Sequence, residues 1–334
     1  MMAAGVGLAV GAGSAIAGPP VASHVDPGAT WVVHLDLNAV DDTDIGSFLM
    51  DVLAEEANDF EDVREVMPNF WPGPEGGMFG VTLYGSSLDM EDNEVPEDFT
   101  AIIYGDENIA GWGSMLEAIA MHEGAEDAVK TREINGCDVW SISKDDGRVY
   151  AGKVERRGRV AWVIAFDSER IEQSLEMFTD GGGTDLLPRD GWRDGTIVYA
   201  STDSLDGLDI DDHASRVIGD AQSMRLRIGE DNGEAYLQAA LDTGDDEHAD
   251  KIRNVVQGLM AIGQLMAGED EELDAIMQVA RGVEIDTAGS TVLIELSHDA
   301  EDVIGFLEEA VEGKGEFNID YDDDDEDDDD DEDW

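Results

Sequence analysis

Residues 148–167, RVYAGKVERRGRVAWVIAFD, constrain the fold of this chain more than any other stretch. Two runs rich in Val, Ile, Tyr and Trp flank a turn at Arg157-Gly158, a composition and spacing that predict consecutive β-strands. A connection this short returns the chain antiparallel, because a parallel pair needs a crossover of a dozen residues or more. A doubly wound parallel sheet is therefore disfavoured here, and helices must come from elsewhere in the chain to bury the apolar strand faces.

The rest of the sequence supplies such segments. TWVVHLDL near the start alternates Trp31, Val33, Leu35 and Leu37 with Val32, His34 and Asp36, which reads as a strand with one polar, solvated face. A helix follows, capped near Asp41 to Asp44, with Ile45, Phe48, Leu49, Val52 and Leu53 on one side. MFGVTLYG and FTAIIYGD read as strands, NIAGWGSMLEAIAMHEGAEDAV as a helix, REINGCDVWSIS as a strand, and SERIEQSLEMF as a short helix capped by Ser168. After a Gly-rich connector the order begins again. GTIVYASTDSL is a strand, DHASRVIGD a short helix, and QSMRLRIGEDNGEAYLQAALDTG a strand pair around Asp231-Asn232-Gly233. DEHADKIRNVVQGLMAIGQLMAG then reads as a helix with Ala249, Ile252, Val255, Val256, Leu259 and Ile262 on a buried stripe. A hairpin over GVEIDTAGSTVLIELS and a closing helix over DAEDVIGFLEEAV complete it.

The repeated order of strand, helix, strand pair, helix, hairpin and helix predicts an α+β protein of two similar halves. Each would be an antiparallel or mixed sheet packed by helices, followed by a disordered acidic C-terminal tail. The divisions expected are a signal peptide over 1–17, a linker over 18–28, a first half over 29–180, a connector over 181–194, a second half over 195–318 and the tail over 319–334. The signal peptide rests on the apolar run ending Ala15-Ile16-Ala17 before Gly18-Pro19-Pro20, although no Lys or Arg precedes the run. That run is too short to span a bilayer, so an exported protein of the periplasm or extracellular space, without a membrane span, is expected.

Charge narrows the partners. The chain carries 80 acids against 19 bases, a net −61, and the run from Asp322 to Asp333 accounts for only twelve of the acids, so the folded body is itself strongly acidic. Such a field repels nucleic acid, whose binding requires Lys and Arg to displace counterions, and favours divalent cations or a basic protein. The body is also Lys-poor and Asp-rich, a composition met in proteins that work at high salt, where screening tolerates dense charge.

Chemistry-bearing patterns are few. His34 and Asp36 project the same way from one strand and could pair as acid and base or share a metal, although a solvated strand face is the preferred explanation. Asp203, Asp206, Asp209, Asp211 and Asp212 have the density of a calcium loop without its spacing. Cys137, the sole cysteine, cannot form an intramolecular disulfide or a zinc site alone and reads as a small core residue. Arg156, Arg157 and Arg159 form one basic island at the turn, placed to pair with the protein's own acids or with the tail. No nucleophile elbow, His-Glu-x-x-His or phosphate loop occurs.

The tail offers the densest candidate site: Asp322, Asp323, Asp324, Asp325, Glu326, Asp327, Asp328, Asp329, Asp330, Asp331, Glu332 and Asp333 in unbroken succession. With nothing apolar to bury, it is expected to be extended, binding calcium weakly and without geometric specificity. In composition these last residues are similar to the Asp-rich tail of calsequestrin, a calcium-storage protein, which implies loosely held Ca2+ and no fold. Trp334 follows no alternating strand, so the terminal signature of a membrane barrel is absent. The layout as a whole resembles uncharacterised exported bacterial proteins. The expected function is a non-enzymatic binding or scaffold protein of the cell envelope with a cation- or basic-partner-binding tail. A carrier of a lipid or other apolar ligand is the alternative, and a hydrolase with an unrecognised site is a second.

Overall fold

A computed structural model describes residues 20–56, 77–87, 98–122, 128–144, 147–156, 158–188, 192–205, 221–266 and 280–312. The expected signal peptide, most of the Asp203–Asp212 cluster, Arg157, the helix over 212–220 and the acidic tail lie outside the described residues.

The protein is α+β. The strands are β1 (Trp31–Asp36), β2 (Met78–Gly85), β3 (Thr100–Gly105), β4 (Val129–Ile134), β5 (Cys137–Lys144), β6 (Gly147–Arg156), β7 (Arg159–Ala165), β8 (Thr196–Thr202), β9 (Ser223–Asp231), β10 (Glu234–Asp242), β11 (Val283–Ala288) and β12 (Thr291–Asp299). They form one twelve-stranded sheet in the order β11-β12-β10-β9-β8-β1-β2-β3-β7-β6-β5-β4. Every neighbouring pair is antiparallel, so the mixed-sheet option does not occur. Nor do the described strands fall into two sheets. β1 pairs with β8 from Trp31↔Thr202 to Leu35↔Val198, and this central ladder fuses what the sequence suggested were separate sheets.

Local chemistry sets the hairpins. Asn135-Gly136 and Asn232-Gly233 hold positive φ at both positions, 53° and 78° in the first and 55° and 80° in the second. That left-handed pair matches the twist of the flanking strands and closes β4–β5 and β9–β10 tightly.

The helices are α1 (Leu37–Asp42), α2 (Asp44–Glu56), α3 (Trp112–His122), α4 (Ser168–Asp180), α5 (Asp246–Met266) and α6 (Ala300–Glu312). α4 covers the front face of the sheet over β1–β7. Its Ile171, Leu175 and Phe178 pack on Val32, Tyr84, Ile102, Val163 and Val139. Its cap is Asp167 rather than Ser168. The Asp167 carboxylate accepts from the amides of Glu169 and Arg170 at 2.7 and 3.1 Å, two bonds where a Ser hydroxyl ordinarily accepts one.

The stretches that read as linker and connector contribute to this same core. Val25 is fully buried, Asp26 accepts from Arg170 Nη1 at 2.8 Å, and Leu187 is 2% exposed. Each is a lone apolar or charged group in turn-forming surroundings, so no periodicity announces its burial.

The back face of the same strands is covered by the 3-10 turn Glu107–Gly111 and by α3, around Trp112, Trp140 and Trp162. Trp162 Nε1 donates to the Ile109 carbonyl at 2.8 Å and Trp140 Nε1 to Glu117 Oε1 at 2.8 Å, so these buried indoles keep their hydrogen bonds inside the fold. Gly113 allows α3 this close, since a Cβ there would stand 2.2 Å from the Trp140 ring.

Candidate functional site

His34 and Asp36 do project from one face of β1, but that face is the covered front one. His34 is 2% exposed and Asp36 6%, so the expectation of a solvated strand face is corrected. The reason is long-range: His34 is closed over by chain that returns from far along the sequence, Trp192 among it. His34 Nδ1 lies 2.8 Å from Thr82 Oγ1, and the Trp192 ring stands edge-on at 5.9 Å. Gly80, opposite Asp36, leaves room for the imidazole, because a Cβ there would sit 3.2 Å from its Cε1. Burial pushes the His34 pKa down to about 4, so the ring is neutral near pH 7. Its Nε2 is buried with no hydrogen-bond partner among the described residues.

Asp36 is otherwise engaged. Its carboxylate caps α1, accepting from Asn38 N at 3.1 Å and Ala39 N at 3.2 Å. Burial raises its pKa, and those two amide bonds oppose the shift. The pair is thus divided between a threonine hydroxyl and a helix cap, and its geometry offers a reacting group no access from solvent.

A different surface is only partly covered. On the back face beyond β1, the strands β8–β12 point apolar side chains outward. α6 and α2 cover one end, where Ala300, Val303, Ile304 and Ile45 meet Ala235, Ile197 and Val198. α5 covers the other end, where Ala249, Ile252 and Val256 meet Leu241, Met224 and Val292. Between these clusters run Leu226 and Ile228 of β9, Leu237 and Ala239 of β10, and Leu296 of β12. The pairings Ile228↔Leu237, Leu226↔Ala239 and Leu237↔Leu296 place all five side by side. Four are half-buried, Ile228 is 36% exposed, and none belongs to either cluster.

The helix beside this strip continues the same character. Val255, Leu259 and Ile262 of α5, expected on its buried stripe, are 42%, 59% and 56% exposed. Ala249 and Ile252 of the same stripe are buried. At about 1.5 Å per residue, α5 is some 30 Å long, and its described contacts with the sheet core come from its first three turns. Leu49 of α2, also expected to be buried, is 41% exposed. A sheet strip and two helices thus present apolar groups to solvent in one half of the molecule. Sequence reading missed this site because periodicity reveals that a helix has an apolar stripe, not whether anything covers all of it.

The remaining predicted residues lie apart. Cys137 opens β5 half-buried at the margin of the front core, its thiol pKa raised chiefly by burial. Arg156 and Arg159 face each other across the β6–β7 ladder beside Gly158. Asp203 follows β8 and its amide donates to the Thr30 carbonyl at 2.9 Å. Among the described residues no group of three or more His, Cys, Asp or Glu is arranged to hold a metal ion. No described helix is long and apolar enough to cross a membrane.

The architecture defines an α+β protein of one large antiparallel sheet, asymmetrically covered by helices. No protein-family model and no curated protein matches the chain. Among solved structures it is similar to crystal form III of TP0453, with a TM-score of 0.48 and 12% identity over 88% of this chain and 99% of that one. Crystal form I of the same protein gives 0.45 and 13% over 87% and 97%. Neither likeness transfers a function to this chain.

Proposed function

We propose that this chain is an exported, non-enzymatic binding protein of the cell envelope, and that its ligand is apolar, of the acyl-chain class. The observation that carries the reading is the partly exposed strip of Leu226, Ile228, Leu237, Ala239 and Leu296, which lies outside both helix-packed clusters, together with the exposed Val255, Leu259 and Ile262 of α5. Leaving a large aliphatic side chain in water forgoes roughly 1.5–3 kcal/mol of burial, and several together make a surface that gains by being covered. The division of His34 and Asp36 between a threonine and a helix cap supports a binding role over a hydrolytic one. Export is supported by the Ala-rich N-terminal run.

The strand order supports descent from a duplicated unit. β1 and β8 pair at the centre, each continues outward through a strand pair, and each half closes with a hairpin whose second strand joins the sheet next to that pair. The acidic tail, Asp322–Asp333, is proposed to hold divalent cations loosely or to dock a basic partner, independently of the apolar strip.

The test is titration of the full chain with a neutral solvatochromic dye such as Nile red, alongside the Ile228→Asp and Leu259→Asp variants. Saturable emission enhancement in the wild type, reduced at least tenfold in affinity by either variant, supports the reading. No saturable binding, or binding that both variants retain, refutes it.

A further inference from the structure

Among the described residues the sheet is open and ends at two edge strands, β4 and β11. Each is six residues long and largely exposed along its outer side. An edge strand carries unpaired amide and carbonyl groups and is a template for another strand unless something blocks it.

The two edges carry opposite charge on the same face of the sheet. Across β4–β5, Lys130 pairs with Ser141 and Arg132 with Val139, a front-core residue, so Lys130 and Arg132 stand on the front face. At the far edge, Glu284 is linked through Glu295, Gln238 and Arg227 to Tyr199, another front-core residue. Asp286 lies two residues on, so Glu284 and Asp286 also stand on the front face. All four side chains are exposed, and among the described residues none forms an ion pair. On the back face, Val129, Thr131 and Glu133 of β4 correspond to Thr287, Ile285 and Val283 of β11, so the only acid of β4 stands on the other face from its two bases.

We infer that β4 of one copy of this chain pairs with β11 of a second copy, continuing the sheet from molecule to molecule. In an antiparallel register, Lys130 would face Asp286 and Arg132 would face Glu284, with Thr131 against Ile285 behind them. Edge charge discourages strand pairing, but opposite charges directly across a strand pair stabilise it, so what matters is whether the edges that meet are alike or unlike in sign. Here they are unlike, and the spacing of two residues matches on both. That a chain with 19 bases against 80 acids places two of the bases on one edge strand makes the match specific. The contact is heterologous, so it leaves one free edge at each end and can propagate. Two six-residue strands bury little surface, and the association is therefore weak and concentration-dependent.

The net charge of −61 opposes any self-association at low ionic strength. Raising salt from about 0.1 M to 1 M shortens the Debye length from about 10 Å to about 3 Å. That removes the long-range repulsion more completely than it weakens hydrogen-bonded pairs in contact. Self-association is accordingly expected to increase with sodium chloride.

Sedimentation velocity of the full chain across protein and salt concentration tests this, with two charge-reversal variants. K130E/R132E makes both edges acidic, and E284K/D286K makes both edges basic. Each alone is expected to weaken self-association about tenfold or more, since two attractive cross-strand pairs become repulsive. Mixing the two variants restores association, because every edge then meets its opposite, and that restoration also shows that both variants are folded. A wild type that stays monomeric throughout would overturn the inference. So would association that survives both reversals, or a mixture that associates no better than its components.

Discussion

Glu230 Oε2 accepts the Ile45 amide at 2.9 Å, joining β9 to the first turn of α2 across 185 positions of sequence. Glu230 is 7% exposed, and its carboxylate satisfies a free amide at a helix N-terminus, where the helix dipole favours negative charge. The contact anchors the helix that borders one end of the apolar strip. Glu230→Ala is expected to cost about 1–3 kcal/mol in urea unfolding, because the buried amide is left without a partner. Glu230→Gln keeps an acceptor and should lose less. Equal stability in all three chains would mean the bond contributes nothing.

The two front-face histidines make stability fall in acid. His34 is lowered to about 4 by burial, and His24, stacked 4.0 Å from Phe178, is lowered to about 4 by burial and then by the charge of Arg156. Both are neutral in the fold, whereas in the unfolded chain they bind protons near pH 6.5. Their contribution is therefore fully present above about 6.5 and is lost as pH falls toward about 4. Urea midpoints measured between pH 7 and 4 should fall more steeply for the wild type than for His34→Gln. Parallel curves would show that His34 does not titrate as its burial requires.

Within α5, burial separates residues that share a sequence pattern. Ile252, 5% exposed in the cluster with Leu241 and Val292, should cost about 2–5 kcal/mol on replacement by Ala. Leu259 at 59% exposure should change stability by no more than about 0.5 kcal/mol on the same replacement. Thermal melts of the two variants distinguish these outcomes. A large loss at Leu259 would mean that its side chain is packed and is not part of an open surface.

How far the sequence could be read follows the range of the interactions involved. The β6–β7 and β9–β10 hairpins were readable because Gly158 and Asn232-Gly233 close strands adjacent in sequence. Most of the order of helices and strands was readable for the same reason, but REINGCDVWSIS, read as one strand, is the β4–β5 pair turned at Asn135-Gly136. The single sheet was not, since it depends on β1 meeting β8 across some 165 residues, and neither strand carries a mark of its partner. The burial of His34 was hidden because a polar residue alternating with apolar ones reads as solvent-facing, while its cover comes from distant chain that includes Trp192. The exposure of Val255, Leu259 and Ile262 was hidden by the converse rule, an apolar stripe reading as a buried one.

The central claim is that the strip between α5 and α6 binds an apolar ligand, and site-mapped photolabelling tests it most directly. The full chain would be incubated with a long-chain fatty acid bearing a diazirine in the acyl chain, irradiated, digested and sequenced by mass spectrometry. Label is expected in the peptides carrying Leu226–Ile228, Leu237–Ala239 and Leu259–Ile262, and it should be displaced by excess unlabelled fatty acid. Label spread over the surface without competition, or concentrated on segments away from this strip, would contradict the claim.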